Sequence, residues 1–412
     1  MNKNTKLFPY RGWLIALACF LASSIALGGV QYSFGNFIGP LESEFGWSRT
    51  QIGDSLSLLA VGTVIAPFVG RLIDRHGSRF IMAGCLLVFG ISYLVRPFMT
   101  ELWHWYAVSI LQAFTVAGAA MIPQGKLVGL WFPNNTGKVL SITAMGNNFG
   151  GIAIQPMLGV AVAFYSWKTG FLLWGSIAIA LSIYTVFVVR NPQSMIIDND
   201  KSTKSDNGAV DHKNYTVYEA LRMRQFYAVT LSILCGTFMY NSLLPSIAPH
   251  LINNGVSQTT AVSAVSVFAA FGMLGKFVFG IASDKYGARL MLFVDFIGLA
   301  IFTFLLIYIV AGFPMWVTIA GTGFFLGAFG ALHLLLVIDT FGIKHFGSIM
   351  GVVMIANFVP LLVGPRIASL SFDATQSYES AFIITSVIFM IGAISLIFAK
   401  PENANHLIDG KL

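Results

Sequence analysis

Long apolar runs separated by short polar gaps make up most of the chain. A helix needs about 20 apolar residues to cross the hydrocarbon core of a bilayer. Twelve runs of suitable length can be placed, covering approximately residues 12–36, 50–70, 80–98, 104–130, 139–165, 169–190, 223–247, 259–280, 290–311, 314–338, 347–369 and 379–399. The pattern predicts an all-α integral membrane protein with twelve transmembrane helices.

One polar stretch interrupts this pattern between the sixth and seventh runs. From residue 191 to about residue 221, Asn, Asp, Ser and Lys replace the apolar residues. Such a composition is typical of a solvated linker. We therefore predict an N-terminal six-helix bundle (residues 1–190), a cytoplasmic linker (191–221) and a C-terminal six-helix bundle (222–412).

The composition agrees with lipid as the solvent of most side chains. The 412 residues are 56% hydrophobic and 10% charged, and the mean hydropathy is +0.76. A water-soluble fold of this sequence would expose a very large apolar surface. Cys19, Cys85 and Cys235 each lie within an apolar run, so neither disulfides nor a metal site is expected, and no motif calls for a cofactor.

The distribution of cations predicts the orientation in the membrane. The formal net charge is +7, but Lys and Arg are scattered through the short gaps, so no nucleic-acid partner is expected. With a cytoplasmic N-terminus, 18 of the 24 Lys and Arg residues fall in cytoplasmic segments. The positive-inside rule then puts both termini in the cytoplasm. The first run is too long for a cleaved signal peptide, so we expect it to be retained.

The second half of the sequence repeats the first at a fixed displacement. Residues 70–79 (GRLIDRHGSR) and 280–289 (GIASDKYGAR) share Gly, Asp, Gly and Arg, each displaced by 210 positions. Residues 137–147 and 347–357 begin with Gly and end with Asn at the same displacement. Two parallel six-helix repeats are the arrangement that lets a secondary transporter move around a central site.

These motifs, the linker and the twelve predicted helices resemble the major facilitator superfamily over essentially the whole chain. Four further segments resemble bacterial members of its monocarboxylate and oxalate/formate transporter group: GVQYSFGNF (29–37), EFGWSRTQI (44–52), LWFPNNTGKVL (130–140) and DTFGIKHFGSIMG (339–351). The resemblance implies a carrier in the bacterial cytoplasmic membrane that works as a monomer.

The repeated loops are candidates for gating. Asp74 and Asp284 lie where a helix leaves the membrane, and a carboxylate there can meet the positive end of another helix. The resemblance implies that helix eleven receives Asp74 and helix five receives Asp284. Arg79 and Arg289 would complete the charge network, and Arg75 is a further gating candidate beside Asp74. The contacts would form when the cytoplasmic side is shut. Alternatively, these residues only shape a tight loop and fix the topology.

Lys276 is the leading candidate for binding substrate. Its position resembles that of the arginine that grips the substrate carboxylate in related carriers; alternatively, Lys276 snorkels to the interface. This sequence has Asn357 and Asn36 where members of the group place further cations. With a single central cation, a monoanion or a polar neutral solute is favoured over a dicarboxylate.

Uncharged polar residues on the helices that line the cavity in this family are the remaining substrate-binding candidates. Each could equally bond a neighbouring helix. They are Gln31, Tyr32, Asn36, Asn147, Asn148, Tyr240, Asn241 and Asn357.

A second group of candidates could serve substrate binding or proton coupling. Charged groups at membrane depth are costly and mark functional sites. Lys126 is assigned to helix four, and the alternative is that it snorkels to the interface. His333 is assigned to helix ten, and the alternative is a structural hydrogen bond. Asp54 in helix two is the better candidate for proton coupling, and Asp295 in helix nine is expected to pair with a neighbour. Arg366 could attract anions at the outer mouth or lie at the surface.

The predicted function is secondary active transport of a small organic anion, a monocarboxylate, driven by a proton gradient or by exchange. The alternative is a carrier of a neutral or amphiphilic compound, either for drug-type efflux or for uptake, because 14% of the residues are aromatic. An enzyme is not expected, since the sequence contains no HExxH, GxSxG or Walker motif. A receptor would more commonly carry a sizeable soluble domain.

Overall fold

The computed structural model describes residues 7–190, 214–309 and 312–399, and almost all of them are helical. Eleven helices in these ranges are long and apolar enough to cross a membrane. They are α1 (Arg11–Ser33), α2 (Gln51–His76), α3 (Ser78–Phe98), α4 (Leu102–Trp131), α6 (Trp167–Val188), α7 (Arg224–Leu243), α8 (Ser263–Tyr286), α9 (Ala288–Tyr308), α10 (Phe313–Phe341), α11 (Phe346–Phe372) and α12 (Glu379–Phe398). Helical extensions follow α1 (Gly35–Phe45) and α7 (Leu244–Asn253).

The helix α5 occupies the region predicted as the fifth span. Its three consecutive segments are Thr136–Phe149, Gly150–Ile154 and Gln155–Phe164. It is not among the eleven helices above, since Asn147, Asn148 and Gln155 lower its mean hydropathy. The all-helical membrane fold is confirmed, whereas the count of twelve spans and the orientation of the termini stay predictions.

The repeated motif forms the same tight turn twice. Gly77 joins α2 to α3, and Gly287 joins α8 to α9. Their φ angles are 82° and 81°, a region in which a side chain is strained and glycine is not. A weaker repeat precedes these helices, with GWS at residues 46–48 and GVS at residues 255–257. Its serines, Ser48 and Ser257, each accept a hydrogen bond from a backbone N–H three residues later. Both devices end or begin a helix at matching places.

The chain divides into two compact units. The first comprises the described residues of Met1–Val139, Thr143–Thr216 and Phe341–Val352, so the start of α11 packs within it. Its core contains a cluster of aromatic rings. Phe37 stacks on Phe171 with ring centroids 4.0 Å apart, and Tyr93 stacks on Trp174 at 4.2 Å. These contacts bring α3 and α6 together with the extension of α1.

The second unit comprises the described residues of Leu140–Ile142, Val217–Thr340 and Val353–Leu412. Within it, α12 packs against α7 and α9. The helices α8 and α10 approach so closely that a Cβ atom on Gly275 would lie 1.8 Å from the carbonyl oxygen of Phe324. Small residues permit such close packing where lipid removes the hydrophobic drive for association.

Several helices depart from α-helical geometry near the predicted polar residues. Short π-helical turns occupy Ser24–Gly28, Ala117–Met121, Gly150–Ile154 and Met239–Leu243. The helix α11 is interrupted between Ile355 and Phe358. Irregular turns of this kind occur often at functional sites.

Most of the predicted linker, residues 191–213, lies outside the described residues. Within the remainder, Val217–Leu221 forms a short helix. The backbone N–H of Tyr215 donates to the carbonyl of Phe341, and the backbone N–H of Lys344 donates to Oδ1 of Asn214 at 3.1 Å. The predicted domain boundaries stay predictions.

The close approach at Gly275 can be tested by adding one methyl group. Gly275→Ala should destabilise the protein by about 1–3 kcal/mol, because the new Cβ atom would overlap a backbone oxygen that cannot move freely. Gly84→Ala is the matched control, since a Cβ atom there meets nothing within 4 Å. Thermal unfolding in detergent should show a lower midpoint for Gly275→Ala only. Equal midpoints for the two variants would contradict this packing.

Candidate functional site

The carboxylate of Asp74 lies at the N-terminus of α11, within the first unit. Oδ1 accepts a hydrogen bond from the backbone N–H of Gly347 at 3.1 Å, and Oδ2 accepts one from Ser348 at 2.6 Å. These N–H groups belong to the first turn of a helix, where no intrahelical acceptor is available. The helix dipole also favours a negative charge at this position. The partner that the resemblance implied for Asp74 is therefore the one found in the structure.

Lys126 is a partner of Asp74 that the sequence did not indicate. Its Nζ atom forms a salt bridge with Oδ1 of Asp74 and also lies 3.3 Å from the carbonyl oxygen of Lys344. The Lys126 residue is only 3% exposed. In this structure Lys126 therefore does not snorkel to a surface, and it contacts the repeated motif at residues 70–79. It neutralises the carboxylate that holds the start of α11.

Two glycines make this contact possible. A Cβ atom on Gly70 would lie 1.9 Å from the carbonyl oxygen of Gly347, and one on Gly347 would lie 2.6 Å from the carbonyl oxygen of Gly70. The backbones of α2 and α11 thus touch one helical turn before Asp74. Because the side chain of Asp74 is short, it reaches the N–H groups of α11 only at this separation.

The two arginines of the repeated motif make equivalent contacts. The Nε atom of Arg79 donates to the carbonyl oxygen of Val186, and that of Arg289 to the carbonyl oxygen of Leu396, both at 2.7 Å. Each carbonyl lies in the last turn of a helix, where cations are favoured. The structure thus bonds Arg79 to the end of α6 and Arg289 to the end of α12. The resemblance implied instead a network with the aspartates. Arg75 is exposed.

The contact implied between Asp284 and helix five stays a prediction. Within the second unit, a carboxylate oxygen of Asp339 lies 3.5 Å from the backbone N of Ala288, at the start of α9. Asp339 matches Gly129 in the first repeat, so this carboxylate has no counterpart there.

Lys276 is buried in the second unit, with only 2% of its surface exposed. A Cβ atom on Gly330 of α10 would lie 3.7 Å from Nζ of Lys276 and 3.4 Å from the hydroxyl oxygen of Tyr240. Two predicted site residues from α8 and α7 therefore converge beside the same glycine. The pair can present a cation and a hydroxyl donor to one ligand.

The other predicted residues of the second unit bond to neighbouring groups. Oδ1 of Asn357 accepts a hydrogen bond from the Thr237 hydroxyl at 3.1 Å, beside the interruption of α11. Nδ2 of Asn241 donates to the carbonyl oxygen of Thr237 at 3.0 Å. Thr237 thus joins both amides, although it was not among the candidates.

In the first unit, predicted polar residues meet between α1 and α5. Nδ2 of Asn36 donates to the carbonyl oxygen of Gln155 at 3.1 Å. The ring of Tyr32 packs against Gly151. Oδ1 of Asn147 is buried and has no hydrogen-bond partner among the described residues, so it can accept a bond from a ligand. Gln31 is exposed.

The second group of candidates does not converge on one place. His333 donates from Nδ1 to the carbonyl oxygen of Phe329 at 2.7 Å, a bond within its own helix. Asp54 and Arg366 are exposed. Asp295 is fully buried, and neither of its carboxylate oxygens has a hydrogen-bond partner within the described part of the chain. The expected neighbour of Asp295 is thus not seen, and an ionised carboxylate there would be costly.

Arg96, near the end of α3, is a buried cation that was not among the site candidates. Its guanidinium carbon lies 4.2 Å from the ring centroid of Trp105 and 4.7 Å from that of Tyr93. Nη2 donates to Oε1 of Gln112 at 2.7 Å. In the sequence, Arg96 is marked only by nearby aromatic residues. Their presence does not reveal which ring packs on the guanidinium. The geometry is that of a structural support for α3 and α4.

The architecture and these buried polar contacts define a helical membrane protein with polar groups inside its bundles. The sequence matches the family described as Major Facilitator Superfamily over residues 13–251 and 229–411. The chain belongs to this superfamily. It is therefore a multi-pass membrane protein that transports a small molecule, and it is not an enzyme.

Named relatives and solved structures agree with this assignment. Monocarboxylate transporter 12 of Homo sapiens is 23% identical over 422 residues, which cover 94% of this chain and 80% of the relative. The uncharacterized MFS-type transporter YhjX of Escherichia coli (strain K12) is 23% identical over 351 residues, which cover 83% of each.

Two structural neighbours share the fold at 13% identity. The proton:xylose symporter XylE superposes with a TM-score of 0.75, covering 94% of this chain and 95% of XylE. The human organic anion transporter MFSD10 superposes with a TM-score of 0.71, covering 93% of this chain and 99% of MFSD10.

The buried ion pair can be tested by a double-mutant cycle. Lys126→Met should destabilise the protein by about 3 kcal/mol, because it leaves a buried carboxylate without its counter-charge. Adding Asp74→Asn should restore part of that loss, so the two effects should not add. Thermal unfolding of the two single variants and the double variant measures the coupling.

Lys168→Ala serves as the control for this cycle. Its Nζ atom lies 3.0 Å from Oε1 of Glu44, but both side chains are 40% or more exposed. The pKa of Glu44 is held below its ordinary value, chiefly by the hydrogen bond from the indole N–H of Trp167 and secondly by Lys168. Loss of an exposed pair should cost less than about 1 kcal/mol. Strictly additive effects of Lys126→Met and Asp74→Asn would refute the coupling.

Proposed function

We propose that this protein is a secondary transporter of a small monocarboxylate in the bacterial cytoplasmic membrane, with both termini cytoplasmic. Transport proceeds by alternating access and is driven by a proton gradient or by exchange. The observation that carries the proposal is the burial of Lys276 beside the hydroxyl of Tyr240. Relatives named monocarboxylate transporters support the substrate class.

Lys276 supplies one positive charge at membrane depth, where charged groups are rare and mark functional sites. A carboxylate bound beside it brings the opposite charge into the same low-dielectric surroundings, where the attraction between the two charges is stronger than in water. A lysine acts as a point charge and holds a carboxylate less rigidly than an arginine fork does. The Tyr240 hydroxyl supplies a directional hydrogen bond to fix the ligand.

The uncharged groups support a monoanion rather than a dianion. Asn357 and Asn36 carry amides at the places where members of the group have further cations. Amides bond an oxygen without adding charge, so a second carboxylate would remain uncompensated.

The Asp74 contact supports a role in gating. A short acidic side chain joins the start of α11 to α2 through two backbone N–H groups, with Lys126 beside it. These bonds are local and few, so a small rearrangement breaks all of them together. We assign Asp74 and Lys126 to a latch that closes when the cytoplasmic side is shut and breaks when it opens.

The substrate proposal is tested by ligand-induced stabilisation. Lactate, pyruvate and formate should raise the thermal midpoint of the purified wild-type protein, and Lys276→Ala should remove this shift. Lys276→Arg should retain part of it, since the charge remains. Oxalate should bind more weakly than the monoanions.

Competition and transport measurements complete this test. A hydrophobic cation that displaces a bound ligand while the monocarboxylates do not would favour the carrier of amphiphilic compounds instead. Solute counterflow in proteoliposomes shows whether the bound acid is carried. An undiminished shift in Lys276→Ala would eliminate the assigned role of Lys276.

Gating is tested separately from binding. Asp74→Asn should slow exchange in proteoliposomes about tenfold or more while substrate binding stays within about twofold, because the site residues are untouched. A tenfold change corresponds to about 1.4 kcal/mol in a barrier. Arg71→Gln is the control, because Arg71 is exposed on the same helix and is not a gating candidate. Unchanged exchange by Asp74→Asn would sink the gating role.

A further inference from the structure

Two grooves lie along the exposed side of α9 and α12 in the second unit. The first has a volume of about 400 Å³ and is lined by Tyr286, Arg289, Leu290, Phe293, Leu396 and Ile397. The second, of about 370 Å³, lies further along the same two helices, and Ile301, Leu305 and Val387 are among its apolar lining residues. Only the first groove contains a charged side chain.

Arg289 is held at the end of the first groove by two hydrogen bonds, which leave other N–H donors of its guanidinium unused. Its Nε atom donates to the carbonyl oxygen of Leu396 at 2.7 Å, and Nη2 donates to that of Ile397 at 3.1 Å. A guanidinium carries five N–H donors, so three remain for a ligand with several acceptor oxygens. The two carbonyls fix the plane of the guanidinium, which therefore forms a prepared anion site.

The position of Arg289 in the helix adds to this preference for an anion. It is the second residue of α9, where the helix dipole is positive. Lys285 lies close by, with Nζ 5.2 Å from the ring centroid of Tyr286 in the groove lining. Arg289 is also next to the turn at Gly287, so the site lies at a membrane boundary whichever way the chain is oriented.

The spacing of the grooves fits one lipid leaflet. Leu290 and Ile301 are eleven residues apart in one helix, which corresponds to about 16 Å. Half of a bilayer core of about 30 Å is nearly the same depth. An acyl chain whose headgroup lies at Arg289 would therefore pass the first groove and reach the second.

The matching arginine of the first repeat has aromatic neighbours instead. Arg79 lies over the ring of Phe80 at 4.9 Å. Phe80 matches Leu290, and Phe187 matches Ile397, at the displacement of 210 positions. Bulky rings thus occupy in the first repeat the places that smaller side chains occupy in the second.

We propose that the α9 and α12 grooves bind an anionic phospholipid, with its phosphate on Arg289 and an acyl chain along Leu290 and Ile301. A basic group between membrane helices and next to an apolar channel is a recognised arrangement for lipid headgroups. This site is separate from Lys276, so it does not depend on the identity of the transported substrate.

Native mass spectrometry of the full chain released from nanodiscs tests the proposal. The nanodiscs contain phosphatidylglycerol or phosphatidylcholine, and the fraction of protein retaining a lipid is measured. Arg289→Gln should lower retention of phosphatidylglycerol about threefold or more and change that of phosphatidylcholine little. Leu290→Trp should lower retention of both lipids, because the indole fills the path of the acyl chain.

Two controls and a competitor make the outcome decisive. Arg79→Gln removes the matching arginine, and Ile183→Trp places an indole at a similarly exposed position on α6. Both should retain lipid as the wild type does, and inorganic phosphate at millimolar concentration should not displace it. Wild-type retention by both Arg289→Gln and Leu290→Trp would overturn the proposal. Equal loss in Arg79→Gln, or displacement by free phosphate, would overturn it as well.

Discussion

Close contact between helix backbones is the constraint on which the rest of this structure depends. In lipid, apolar side chains gain nothing by leaving their solvent, so helices associate through close packing and polar bonds. Gly70 and Gly347 allow α2 and α11 to touch, and Gly275 allows α8 to touch α10. The first contact brings Asp74 within reach of the N-terminus of α11. The second holds the helix that carries Lys276 against the helix that carries Gly330.

Buried charges in this protein are stabilised in three different ways. Asp74 uses an ion pair with Lys126 and two backbone N–H groups. Arg96 uses aromatic faces and an amide, without a carboxylate among the described residues within its reach. Lys276 lies beside a tyrosine hydroxyl. The first arrangement depends on few atoms and suits a contact that must break. The second involves several rings and suits a fixed support.

The two copies of the internal repeat share backbone turns and helix-end contacts, but they differ in the positions of their buried cations. Both copies have the same glycine turn and the same arginine bond to a helix end 107 residues later. Lys126 matches Leu336, however, and Lys276 matches Ala66. The two copies are therefore built alike but carry their cations at different places. This asymmetry gives one repeat the proposed charged latch and the other the proposed anion site.

The sequence by itself determined the helical membrane architecture, the position of eleven spans and the family. The reason is that the length of an apolar run and the spacing of a motif are local properties. It also selected Asp74 and its partner, through the resemblance. The fifth span was predicted from an apolar run, but its polar residues leave that span unconfirmed. Only the tertiary structure revealed that Lys126 pairs with Asp74 and that Thr237 bonds to Asn357, since these partners are 52 and 120 positions apart. Such pairs are decided by how closely the helix backbones approach, and no local pattern in the chain records that distance.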